Sequence, residues 1–273
     1  MQIESFIQRL TPLGDHANAP LGERRRLYDA LHAEHRPTDP EGMQVDDDIV
    51  AGVAVRRFLP ARPLSECIVY VHGGGWNLGS PRSHHGITAD LAERLEREVI
   101  SVDYRLLPEA HYAEALDDCR MVVEALDPVA VIGDSAGGRL ALDMAGTSQW
   151  KGMLGVIYPV VGTPTPTNLG ADAPLLSRAD ILSLWEMAAD DVPALDPHHP
   201  PVTLIEALAV EHDPLTRPLE QAIERWRAAG AAVGYRCAPN MVHSALHGHA
   251  ELPDMAAAWQ DFCQAMHKRL GDA

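Results

Sequence analysis

The sequence predicts an α/β fold built on a mainly parallel central sheet flanked by helices. Three observations carry that prediction: short continuous apolar runs, helix-compatible stretches between them, and turn-forming residues at the junctions. Strands buried on both faces read as continuous apolar runs rather than alternating ones. Repeated β-α units imply right-handed crossovers between parallel neighbours. The 273 residues suffice for one large domain, and residues 1–273 are read as a single unit.

The elements follow in order. Ile3, Phe6, Ile7 and Leu10 share one helical stripe, giving a short amphipathic helix punctuated by Pro12, Gly14 and Pro20. A second helix is expected over 22–35, stopped at Arg36-Pro37. Residues 36–47 read as loop, and 50–59 as a strand or hairpin arm closed by Pro60 and Pro63. The alternation then begins, with strands over 67–71, 99–103 and 129–132 and helices over 84–97, 112–126 and 139–145. Strands over 152–158, 202–210 and 232–237 follow, with helices over 215–229 and 249–269. Residues 160–200, proline-rich around a helix-like 177–189, are too long for a plain connection. With about 1–45 they are expected to form a small helical cap over the end of the sheet.

Apolar content of 46% and charged content of 22% are ordinary for a globular chain. A formal net charge of −17 repels nucleic acid and anionic membranes, so neither is an expected partner. Cys67, Cys119, Cys237 and Cys263 have neither zinc-site nor disulfide-framework spacing. Cys67 and Cys237, in strand-like runs, are expected to act as small core residues. The N-terminus carries no basic stretch leading into an apolar one, and no run approaches the roughly 18 apolar residues of a membrane span. A cytoplasmic location is expected.

Residues Gly133-Asp134-Ser135-Ala136-Gly137 form a G-x-S-x-G pentapeptide between a strand-like and a helix-like run. A nucleophile elbow requires that setting, with small residues where the chain passes close to itself. Acyl transfer by a serine also needs oxyanion donors, a base, and an acid that orients the base. The run 67–71 ends in His72-Gly73-Gly74-Gly75-Trp76, whose glycine N–H groups are free to point into a site, and the residue after the nucleophile, Ala136, supplies another donor. Asp213 ends the strand at 202–210 and precedes Pro214; Glu211 and Asp196 are competing acids. His243 follows the next strand, with His247 and His249 as competitors. The order Ser135, Asp213, His243 is that of α/β-hydrolases. A metal site at the three histidines is disfavoured, because no carboxylate or cysteine pattern completes it. No cofactor is expected. Trp76, Asp134, Trp185 and Met187 are candidate pocket residues.

Three motifs, His72 to Trp76, Asp103-Tyr104-Arg105-Leu106-Leu107-Pro108-Glu109 and Gly133 to Gly138, resemble those of the hormone-sensitive-lipase family of α/β-hydrolase esterases. The similarity spans roughly 50–270. It implies Ser135 as nucleophile, His243 as base, Asp213 as orienting acid, and Gly74, Gly75 and Ala136 as oxyanion donors. It implies a structural role for Asp103, Tyr104 and Arg105. The implied activity is hydrolysis of short-chain acyl esters through an acyl-enzyme. An arylformamidase, amidase or acyltransferase could use the same triad, and a non-catalytic receptor is disfavoured by the presence of all three members. The family also commonly forms homodimers through its last strand and helix. Ser244 stands where the family usually has glycine, Thr216-Arg217-Pro218 where it tends to have Arg-Asp, and the 160–200 segment is shorter than the usual cap. The short segment implies a reduced lid and an open pocket.

Overall fold

A computed structural model describes residues 1–16, 18–193, 196 and 199–271. Two helices, α1 (Ile3–Asp15) and α2 (Leu21–Glu34), precede a hairpin of β1 (Gln44–Val50) and β2 (Val53–Leu59). Then come β3 (Cys67–Val71), α3 (His85–Leu95), β4 (Glu98–Val102), α4 (Tyr112–Leu126), β5 (Ala130–Asp134) and α5 (Ser135–Thr147). The chain continues through β6 (Met153–Ile157), α6 (Arg178–Ala188), β7 (Leu204–His212), α7 (Thr216–Ala228), β8 (Ala232–Val242) and α8 (Pro253–Gly271). The eight strands form one sheet in the order β1-β2-β4-β3-β5-β6-β7-β8. Only β1–β2 and β2–β4 pair antiparallel; every other pairing is parallel.

The apolar runs are continuous because each central strand feeds two cores. Val69, Val71 and Val131 point to one face, where they join Tyr112 and Cys119 of α4, Leu140 of α5 and Trp226 of α7. Ile68, Tyr70 and Ile132 point to the other, against Leu91 of α3, Trp259 and Phe262 of α8 and Phe6 of α1. Helices on both faces leave the carboxyl ends of the strands open at one edge, where α/β folds place their sites.

Residues 44–47, expected as loop, belong to strand β1, which runs to Val50. Asp46, Asp47 and Asp48 break any apolar alternation there, but β1 is an edge strand, where charge discourages pairing with other chains. Arg56 and Arg57 on β2 hold Asp47 and Asp48 at 2.7 and 3.1 Å. Pro12 does not end α1, which runs through it to Asp15. Strand β8 continues to Val242, with a register shift opposite Val210 to His212. A 3-10 turn at Ala245–Gly248 delays α8 until Pro253. Cys237 is exposed, because it faces outward from edge strand β8. No helix among the described residues is long and apolar enough to cross a membrane.

Candidate active site

Strand β5 delivers Asp134 and turns into α5 at Ser135, whose φ of 51° lies in the left-handed region. Non-glycine residues reach that region only under constraint. The constraint is the close passage of the flanking glycines. A Cβ on Gly133 would sit 2.6 Å from the Gly137 carbonyl oxygen, and one on Gly137 would collide with the carbonyl oxygens of Val71 and His72. The turn lifts the Ser135 hydroxyl out of the helix and leaves it half-buried.

The hydroxyl Oγ of Ser135 lies 2.8 Å from Nε2 of His243. On the other side of the ring, Nδ1 of His243 is 2.7 Å from Oδ2 of Asp213. The second oxygen of Asp213 accepts the Leu215 N–H at 2.8 Å, which holds the carboxylate at the mouth of α7. Asp213 is therefore both the ring's partner and a cap for the turn that follows β7. Glu211 is turned to the Asn240 N–H and Asp196 to His199, so neither competing acid faces His243.

The competing histidines are used elsewhere. His247 stacks on His32 of α2 with centroids 3.7 Å apart and meets His84 at 4.6 Å. Burial among these rings pushes its pKa well down. His249 bonds the Leu246 carbonyl and lies 3.7 Å from Asp90. Among the described residues no three side chains are grouped to hold a metal ion.

The loop after β3 is stitched to the elbow at two points. Asp134 Oδ1 accepts the Gly73 N–H at 2.9 Å, and the Trp76 indole N–H donates to the Ala136 carbonyl at 2.9 Å. Between these anchors Gly74 and Gly75 adopt φ of 114° and 60°, and a Cβ on Gly74 would collide with the Leu78 carbonyl. Among the described residues neither Gly74 nor Gly75 N–H has a backbone acceptor, and Ala136 lies in the first turn of α5, where N–H groups lack helical partners. Behind the loop, the Tyr104 hydroxyl donates to the His72 carbonyl at 2.8 Å, and Arg105 holds Asp118 at 2.9 Å.

The candidate pocket residues divide. Asp134 points away from the cleft: it takes the Tyr70 hydroxyl at 2.7 Å as well as the Gly73 N–H, and it lies 3.4 Å from His84. Burial alone would raise its pKa, but His84, Tyr70 and His72 together hold it below the usual carboxylate value. Trp76 is buried, packed edge-on against Tyr112 and Trp185. Trp185 and Met187 are half-buried on α6. Leu184 was not foreseen: its methyls lie so close to Gly75 that a Cβ there would come within 2.9 Å of them. Tyr158, at the end of β6, brings its ring to 4.6 Å from His243. In the sequence its signal is the pair Tyr158-Pro159, which resembles a weaker signature of the same esterase family.

Residues 68–247 match a family described as having the alpha/beta hydrolase fold. Carboxylesterase NlhH of Mycobacterium tuberculosis is 31% identical over 253 residues, covering 80% of this chain and 79% of its own. EstE1, a thermostable carboxylesterase cloned from a metagenomic library, superposes with a TM-score of 0.76 at 25% identity, over 93% of this chain and 99% of its own. A hormone-sensitive lipase from a metagenome library shares the fold with a TM-score of 0.84 at 24% identity, over 99% of both chains.

Proposed function

The chain belongs to the α/β-hydrolase fold family, among the esterases related to hormone-sensitive lipase, and on that premise we propose that its carboxylesterase chemistry runs on Ser135, His243 and Asp213. The observation that carries this reading is the unbroken hydrogen-bonded chain from Ser135 Oγ to His243 at 2.8 Å and on to Asp213 at 2.7 Å. His243 takes the hydroxyl proton through Nε2 as Oγ attacks the ester carbonyl, while Asp213 holds the Nδ1–H and stabilises the imidazolium. The N–H groups of Gly74, Gly75 and Ala136 receive the oxyanion, a contribution worth about 10²–10³ in rate per donor in serine hydrolases. The imidazolium returns its proton to the departing alkoxide, leaving an acyl-enzyme. Water then attacks, its proton taken by the same nitrogen, and Ser135 leaves with a proton as the carboxylic acid is released.

The substrates are short-chain acyl esters, because α6 lies low over the oxyanion loop with Leu184 against Gly75. Residues 160–193 then serve as the small cap. The test uses Ser135→Ala with p-nitrophenyl acetate and butyrate, together with fluorophosphonate labelling of the parent. Hydrolysis falls to background in a variant with an unchanged circular dichroism spectrum, and the label maps to Ser135. Retained activity would refute the assignment.

A further inference from the structure

Arg139 stands one helical turn beyond Ser135 on α5 and is buried at 2% exposure. A buried guanidinium is costly unless it is paired and its donors are satisfied. Its Nε donates to Asp143 at 2.9 Å, and the fully buried Asp143 also takes the Tyr112 hydroxyl at 2.7 Å. The two terminal nitrogens reach out of the core into residues 160–193. One donates to the Gly162 carbonyl at 2.6 Å and the other to the Pro193 carbonyl at 3.2 Å. Between those points Trp185 of α6 lies over the guanidinium, 5.2 Å from its carbon to the ring centroid. One side chain therefore holds the beginning, the helix and the end of the same segment.

The neighbour of Trp185 is Leu184, the residue set against Gly75. Trp185 itself meets Trp76 edge-on at 6.4 Å, and Trp76 is bonded to Ala136. The guanidinium thus bears on the space above the oxyanion loop through α6.

We infer that Arg139 is a positioning residue for ester hydrolysis: by clasping residues 160–193 onto the nucleophile helix it sets the height of Leu184 over the oxyanion loop, and so the acyl length accepted. The inference rests on the reading of Ser135 as nucleophile and of Gly74 and Gly75 as oxyanion donors. The bonds joining Ser135, His243 and Asp213 do not pass through Arg139. Loosening the clasp therefore alters selectivity more than chemistry.

The experiment measures kcat and KM for p-nitrophenyl acetate, butyrate, hexanoate and decanoate in the full chain, in Arg139→Met, Arg139→Lys and Leu184→Ala. Fluorophosphonate labelling runs in parallel. In Arg139→Met, KM for acetate rises several-fold with little change in kcat, and the hexanoate-to-acetate ratio of kcat/KM rises about tenfold. Arg139→Lys recovers part of the original profile, since an ammonium still reaches one carbonyl but cannot span two. Leu184→Ala reproduces the shift without disturbing the buried ion pair, and it decides the question should Arg139→Met fail to fold. A common slowing of every ester in Arg139→Met, or an unchanged profile in Leu184→Ala, overturns the inference while a labelled Ser135 leaves the reading of the site standing. An unlabelled Ser135 in the parent overturns both.

Discussion

His243 and His247 stand four residues apart and serve opposite ends. The first spans Ser135 and Asp213; the second is pressed between His32 and His84. Ser244, between them, sits at φ 68° and turns the chain so that the two rings diverge. Glycine adopts that conformation without strain, and serine reaches it here because the 3-10 turn that follows fixes the loop. His243→Ala is expected to lower kcat by at least about 10³ with little loss of stability. His247→Ala is expected to keep kcat within about tenfold and to cost about 2 kcal/mol of stability. Ester turnover and urea midpoints measured on both variants check this, and an inactive His247→Ala beside an active His243→Ala would reverse the assignment.

At the scale of elements, the glycines of β5–α5 and the single glycine of α1 have contrasting tolerances. Gly137→Ala drives a Cβ into the carbonyls of Val71, at the end of β3, and of His72, which the Tyr104 hydroxyl holds, so a loss of about 3 kcal/mol or more is expected. Gly14→Ala, in a helix with open space around it, is expected to gain about 0.5–1 kcal/mol. Thermal melts of the two variants give opposite signs if the packing is as described. The same contrast explains what the sequence revealed. The elbow and the glycine loop were legible because close backbone approach leaves no alternative to glycine, and the central strands because burial on both faces leaves no alternative to apolar runs. Strand β1 was not, since it carries three successive aspartates on an edge, two of them, Asp47 and Asp48, held by arginines of the neighbouring strand rather than by any local pattern. Leu184 and Arg139 were not, since their roles depend on a segment folding back over α5, which no spacing encodes. Asp134 looked like a pocket residue by adjacency, but successive side chains at a strand end point to opposite sides.

Across the whole molecule, buried imidazoles tie stability to pH. His32 and His72 each leave Nε2 without a hydrogen-bond partner among the described residues; Tyr28 and His247 surround the first ring, and Tyr104 and His84 the second. Burial lowers the pKa of His32 and of His72 to about 3 from the ordinary 6.5. The unfolded chain therefore binds protons below pH 6.5 that the folded chain refuses, so stability is full above that value and falls as the pH drops towards 3. Each of the two costs about 2 kcal/mol at pH 5. Melting temperatures taken from pH 8 to 4.5 should fall steadily below 6.5, and His32→Phe, which keeps an aromatic ring beside His247, should flatten the slope. A level profile in the parent would refute the account. The contacts of the first helices have a further consequence, in time rather than in energy. The Met1 amino group bonds the Glu251 carbonyl, Phe6 packs on Gly248, and His32 stacks on His247. The same helices also reach the oxyanion loop side, where Arg25 bonds the Asn77 carbonyl and Glu109, and Asp29 accepts the Ser80 hydroxyl. Contacts between segments so far apart in sequence form late, so the docking of α1 and α2, which seats the turn beside His243, is expected to be a late step of folding.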